Sequence, residues 1–471
     1  MVAPMRRVKI LATVGPASRE PAVVEALLSA GVDGFRVNFS HGVPDDHRGA
    51  VRTIREAAAR MGREVAILGD LSGPKIRCRT FEGGPVMLEE GQPFTLTTRD
   101  VLGSIEGVGV TYPLWRDLRA GDPILLDDGL LRMRVVAIEG EDTRCVVEIG
   151  GKLSDRKGIN LPGAKLSVPA LTPKDHQDAL LAKELGVDYL ALSFVRHPND
   201  LHEARRAVGP DVPLIAKIEK PEAVDLLEAI IEVSEGIMVA RGDLGVELGP
   251  EKVPLVQKQA IMLANRHRKL VVTATQMLES MTSSPRPTRA EAADVANAVL
   301  DATDVVMLSG ETASGKYPVL AVQMMDSIAR EIEGSALYRE LTEPPVTTAE
   351  WDFTNACAAA ASLTSRHARM AALVVYTTAG HTANMVAEFR PRAPIVAVTA
   401  RREIAQRMAL QWGVIPVVHA LPETPAEVIA YAVRIARETL AVADGETIGI
   451  VHGSQRESGT KSFVLYTLPA S

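Results

Sequence analysis

Lys217 and Glu219 stand two residues apart at the end of the apolar run from Leu214, LIAKIE. On a strand that spacing turns both side chains to one face, so a cation and an acid can meet the same ligand. Burying both is costly unless each has an opposite charge beside it. The next apolar run, GIMVAR from Gly236, closes on Arg241 and Asp243. Glu219 and Asp243 are hard oxygen donors of the kind that hold Mg²⁺ while leaving most of its positions to water and substrate oxygens. An internal layer of ion pairs is the structural alternative. In Arg241-Gly-Asp-Leu-Gly-Val-Glu, two glycines flank Asp243 where a strand turns into a helix. Backbone N–H groups and a helix dipole can face a carboxylate or phosphate there. Together with Arg36, these residues describe a site for a small, doubly anionic substrate bearing phosphate.

Such groups need rigid elements to hold them. Apolar runs begin at Val8, Gly34, Val65, Tyr189, Leu214, Gly236, Leu270 and Asp304, separated by segments of helical period. Thr172 and Thr288 each precede an acid by three residues, the pattern of a helix capping box. Continuous apolar strands alternating with helices predict a parallel sheet covered on both faces, and eight such units predict a (β/α)8 TIM barrel. An open doubly wound sheet is the alternative. In a barrel, chemistry gathers where the strands end. The residues there are Arg36, Asn38, Ser40 and His41; Asp70; Lys217 and Glu219; Arg241 and Asp243; Thr275; and Ser309 with Glu311.

The rhythm breaks between Leu71 and Leu171, where β-like stretches replace helical period. An inserted small β-domain is expected over residues 72–167, entered at the Gly73-Pro74 turn in GDLSGPKIR and placed as a lid on the catalytic face. The barrel then covers residues 1–71 and 168–340. After the linker-like LTEPPVTTAE, a C-terminal α/β domain covers residues 341–471.

Composition narrows the rest. The 471 residues are 46% hydrophobic and 24% charged, enough for several cores. A net charge of −7 argues against broad nucleic-acid or anionic-membrane binding. No apolar run reaches the length of a membrane span, and MVAPMRRVKI runs into a strand without a signal-peptide pattern, so the cytoplasm is the expected compartment. Cys78, Cys145 and Cys357 are widely separated, so neither a disulfide framework nor a zinc site is expected. Pro44 separates His41 from His47 and argues against a metal pair there.

The segments ATVGPAS (from Ala12), FRVNFSHG (from Phe35), GDLSGPKIR, KGINLPG (from Lys157), AKIEKPEA (from Ala216), MVARGDLGVE (from Met238), TATQMLESM (from Thr273) and MLSGETASGKYP (from Met307) closely resemble the motifs of the pyruvate kinase family, in that family's order. The resemblance covers the barrel and the insertion; the C-terminal region matches in size and α/β character. It implies transfer of a phosphoryl group from phosphoenolpyruvate to ADP, giving pyruvate and ATP, the final ATP-forming step of glycolysis. Carried over by motif, Lys217 stabilises the phosphoryl group in flight, Arg36 contacts the phosphate, and Glu219 with Asp243 holds Mg²⁺ or Mn²⁺. Gly242, Asp243 and Thr275 hold the carboxylate, with Thr275 near the face on which the enol is protonated. Asn38, His41, Arg77 and Lys157 match nucleotide-phosphate contacts.

Potassium-dependent members bind a monovalent ion at residues matching Asn38, Ser40, Asp70 and the carbonyl of Leu71. They carry Glu where this chain has Lys75. The chain therefore resembles the potassium-independent branch, in which the lysine ammonium replaces the ion and K⁺ is not required. The resemblance also implies a homotetramer and a phosphorylated activator. For the activator, Thr377, Thr378, Gly380 and Thr382 could form a phosphate nest, closed by the loop from Gly453 to Thr460, or an ordinary turn. A Mg²⁺-dependent barrel lyase and a non-catalytic metabolite sensor are the competing readings.

Overall fold

A computed structural model of the chain describes residues 5–164, 166–342, 353–453 and 460–469. The chain opens with β1 (Lys9–Thr13), β2 (Gly34–Asn38) and β3 (Ala66–Asp70). It then leaves for β4 (Ile76–Arg77), β5 (Val86–Leu88), β6 (Pro93–Thr97), β7 (Gly107–Gly109), β8 (Pro123–Leu126), β9 (Leu131–Glu139), β10 (Asp142–Ile149), β11 (Gly151–Leu153) and β12 (Gly158–Asn160). It returns as β13 (Tyr189–Leu192), β14 (Leu214–Ile218), β15 (Gly236–Ala240), β16 (Leu270–Ala274) and β17 (Val305–Leu308). The eight strands outside the insertion are parallel and close into a barrel, so the open-sheet alternative falls. β3 pairs directly with β13, Leu68 opposite Tyr189 and Asp70 opposite Ala191, and the insertion leaves the barrel wall intact.

The strands can be apolar along their length because both faces are covered. Inside the barrel, Leu68, Ala191, Ile215, Met238, Val272 and Met307 pack as one cluster, which Ala409 and Leu410 of the C-terminal unit join. Outside it, Phe35, Val37, Ile67, Leu190, Val239 and Val271 pack against the surrounding helices. The capping boxes at Thr172 and Thr288 form, each side-chain oxygen accepting from the backbone N–H three residues on.

The inserted unit is a seven-stranded sheet, β4-β12-β8-β9-β10-β6-β7, beside a β11-β5 pair, around its own core of Phe94, Leu96, Ile124, Leu126 and Met133. Its inbound hinge requires glycine: Gly73 has φ +63°, and a Cβ there would sit 2.8 Å from the Phe194 ring. The C-terminal unit follows the helix Phe353–His367 with β18 (Ala372–Tyr376), β19 (Ile395–Thr399), β20 (Val414–Val418), β21 (Thr447–Gly453) and β22 (Thr460–Thr467). They form one sheet ordered β20-β19-β18-β21-β22, with only β22 antiparallel to its neighbour. Most of the expected linker lies outside the described residues. Among the described residues, no helix is long and apolar enough to cross a membrane.

Candidate active site

The C-terminal ends of the barrel strands converge on Lys217. Its ammonium lies 2.9 Å from Glu219 Oε1 and 3.3 Å from Asp70 Oδ1, and donates to Ser193 Oγ at 2.6 Å. Ser193 in turn donates to the carbonyl of Leu71 at 2.7 Å. Arg36 Nε donates to Asp70 Oδ2 at 2.7 Å, and its Nη1 reaches Thr13 Oγ1 at 3.3 Å. Burial disfavours charge on Lys217, but Asp70 and Glu219 outweigh it and lift the ammonium above the usual lysine value. Burial likewise opposes charge on Asp70, and Lys217 and Arg36 overcome it, holding the carboxyl below its usual range. A fixed positive charge therefore faces the mouth of the barrel.

Glu219 is poised differently. Its Oε2 accepts from the Phe194 N–H at 2.7 Å, an N–H aimed by an unusual positive φ of 58° at a bulky residue. Its Oε1 is buried, with the Lys217 ammonium 2.9 Å away. Burial, followed in effect by the opposing charge of Lys217 and the like charge of Asp243, leaves the Glu219 carboxyl above its ordinary value. A buried carboxylate within the field of a second one, Asp243, fits the donor set of a hard divalent cation. Among the described residues, no group of three or more His, Cys, Asp and Glu side chains forms a metal cage. Two carboxylates leave the other positions of such an ion to substrate and water.

Asp243 sits in the first turn of the helix Arg241–Leu248. The Gly242 N–H, expected to be free for an anion, donates to Thr275 Oγ1 at 2.8 Å. Thr275 follows β16 with φ +65°, and Arg241 holds it there by donating to its carbonyl from Nη2 at 2.6 Å and from Nε at 3.2 Å. Lys75 does not stand against Asp70. Its ammonium pairs with Asp243 Oδ1 at 3.1 Å, while Arg36 and Lys217 take Asp70.

Of the residues expected at the nucleotide, Asn38 Oδ1 accepts from the Ser40 N–H at 3.0 Å and orders the turn after β2. His41 is kept below its usual imidazole pKa by burial and then by Arg77, Arg36 and Lys75, so it is neutral at neutral pH and shares the field of those cations. Arg77 donates to the carbonyl of Arg156 at 3.1 Å, and Lys157 pairs with Asp127 at 2.8 Å. Both belong to the inserted unit.

Two expected groups lie apart. Glu311 is buried and caps the backbone N–H groups of Ser309 and Leu278 at 2.7 and 3.1 Å, a structural task. Thr377 Oγ1 accepts from the Gly380 N–H at 3.0 Å ahead of the helix His381–Glu388. Gly380 and His381 line a cavity of about 490 Å³ with Tyr189, Lys269 and Leu270, at the barrel end opposite Lys217. Residues 454–459 of the expected closing loop lie outside the described residues. Sequence reasoning missed Ser193, Phe194 and Thr13. The runs ALSF and LAT end in these residues, and inspecting strands one and four as the others were inspected would have found them.

Residues 5–322 match the family described as pyruvate kinase, barrel domain, and residues 355–465 match pyruvate kinase, alpha/beta domain. The chain is 41% identical over 467 residues to a pyruvate kinase of Bacillus licheniformis, covering 98% of this chain and 80% of that protein. It is 45% identical over 459 residues to pyruvate kinase 2 of a Synechocystis species, covering 95% and 77%. A pyruvate kinase of Geobacillus stearothermophilus is 43% identical over 455 residues, with 95% and 78% covered.

Proposed function

The chain belongs to the pyruvate kinase family and is a phosphotransferase, and on that premise we propose the reaction in detail: Mg²⁺-dependent transfer of the phosphoryl group of phosphoenolpyruvate to ADP, with no requirement for K⁺. The observation that carries it is the Lys217 ammonium held between Asp70 and Glu219 beside Arg36. In this reaction an ADP β-phosphate oxygen attacks phosphorus, the bond to the enol oxygen breaks, and the enolate takes a proton at C3. Negative charge spreads over the phosphoryl oxygens in the transition state, and a preorganised cation there lowers the barrier without reorganising.

Lys217 and Arg36 face the phosphoryl group, and their carboxylate partners fix both cations in place. Glu219 and Asp243 would hold the Mg²⁺, which when bound would supply charge neutralisation to the anionic substrate. Gly242 N–H, released from Thr275, takes the substrate carboxylate, and Thr275 Oγ1 stands where the enolate is protonated. Lys157 and Arg77 reach the ADP phosphates from the inserted unit, with neutral His41 and Asn38 below. Lys75 supplies a charge that a monovalent ion would otherwise bring; what supports this reading is its ammonium, 3.1 Å from Asp243 Oδ1 at the same site. Pyruvate formation that requires phosphoenolpyruvate, ADP and Mg²⁺ together, and stops on adding EDTA, tests the reaction. Cleavage of a keto acid without nucleotide would favour the lyase instead.

A further inference from the structure

The two strands that tie the inserted unit to the barrel grip one helix at two points. β4 and β12 pair with each other, Ile76 opposite Ile159 and Arg77 opposite Gly158. Just before β4, Lys75 pairs with Asp243 at 3.1 Å. At the end of β12, Asn160 Nδ2 donates to Glu247 Oε1 at 2.9 Å. Asp243 and Glu247 are four residues apart on the helix Arg241–Leu248, so they share a face one turn apart.

The two grips differ in kind. Lys75 and Asp243 are 24% and 21% exposed, and water can take over either charge when they part. Glu247 is 1% exposed, and the same Oε1 also receives Lys220 Nζ at 2.6 Å, from a lysine 7% exposed. Breaking that pair strands a buried charge. Lys220 follows Glu219 in the chain and lies over the Phe194 ring at 5.9 Å, the residue whose N–H aims Glu219. One buried carboxylate thus joins the outbound hinge strand, the helix of Asp243 and the turn of Glu219.

We propose that Asn160, Glu247 and Lys220 form the fixed pivot of the inserted unit, and that Lys75 and Asp243 form its releasable catch. Asn160 and Glu247 are then positioning residues: they touch no substrate, and they set where Arg77 and Lys157 meet the nucleotide. The inference rests on the phosphotransfer reading above for its kinetic consequence and on the geometry alone for its mechanical one.

Asn160→Ala removes the bond between strand and helix and leaves the Lys220–Glu247 pair. Asn160→Asp keeps the shape and sets a carboxylate against Glu247. Amide hydrogen exchange of β4 and β12 is measured in the full chain without ligand, and KM for ADP and for phosphoenolpyruvate beside it. The pivot predicts exchange and KM for ADP both raised about fivefold by Asn160→Ala, more by Asn160→Asp, and KM for phosphoenolpyruvate within about twofold. Exchange unchanged in both variants overturns it. So does a milder effect for Asp than for Ala, which marks Asn160 as packing only. If the parent protein forms no pyruvate, the phosphotransfer reading fails, and the exchange ranking still decides the pivot.

Discussion

Arg241 clamps Thr275 by donating to its carbonyl from Nη2 at 2.6 Å, while Thr275 Oγ1 accepts from the Gly242 N–H beside it. A β-branched residue at φ +65° is strained, and such strain persists only where neighbours over-determine it. Arg241 is itself anchored to Asp294 at 2.7 Å, so the strained turn hangs on an ion pair whose arginine is buried and whose carboxylate reaches solvent. Thr275→Ala keeps the turn and removes the hydroxyl; it should lower kcat about ten- to a hundredfold. Thr275→Ser keeps the hydroxyl and should stay within about threefold of the parent enzyme. Steady-state kinetics of the two variants check this, and equal losses would contradict a role for the hydroxyl.

Lys217→Met tests the cage around the central cation. With the ammonium gone, Asp70 and Glu219 face each other across a buried gap. Removing one member of such a group costs roughly 3–5 kcal/mol of stability. The same change should lower kcat on the order of a hundredfold or more, since the charge that meets the phosphoryl group is lost. Denaturant melts and turnover read the two effects separately.

Lys157→Ala should act on the nucleotide alone. Lys157 extends from the inserted unit and pairs only with Asp127 among its described ion pairs. KM for ADP should rise about tenfold, with KM for phosphoenolpyruvate within about twofold. Parallel rises in both would place Lys157 in the common site rather than the clamp.

The barrel was legible because its strands are buried on both faces, which forces continuous apolar runs that end abruptly in polar residues. Lys217 and Glu219 could be paired from their spacing alone, and they meet at 2.9 Å. The position of Lys75 was not legible. Its reach allows Asp70 or Asp243, and the outcome depends on Arg36 and Lys217 already occupying Asp70, a competition among residues far apart in the chain. Ser193 was missed for a similar reason. A serine after an apolar run is commonplace, and only the closed barrel brings it under Lys217.

Glu388 should make the joint between barrel and C-terminal unit sensitive to pH. Its Oε2 is buried without a hydrogen bond. Burial, with the charge of Asp304, holds its carboxyl well above the ordinary 4.5, against the pull of Arg390 and Arg268. The folded state therefore keeps this proton to a higher pH than the unfolded chain. Its stabilising effect is full below the ordinary value and is lost as pH rises through the folded-state value. Glu388→Gln removes the titration, so thermal melts across pH should show the variant gaining on the parent protein as pH rises. A constant difference would contradict the sign.

The most direct measurement is pyruvate formation from phosphoenolpyruvate and ADP with Mg²⁺ in a buffer free of potassium, before and after adding KCl. The account predicts rapid turnover that KCl leaves unchanged, and its loss in Lys75→Glu until KCl is supplied. No turnover in either buffer would contradict the phosphotransfer itself; turnover of the parent enzyme only with KCl would contradict the internal cation.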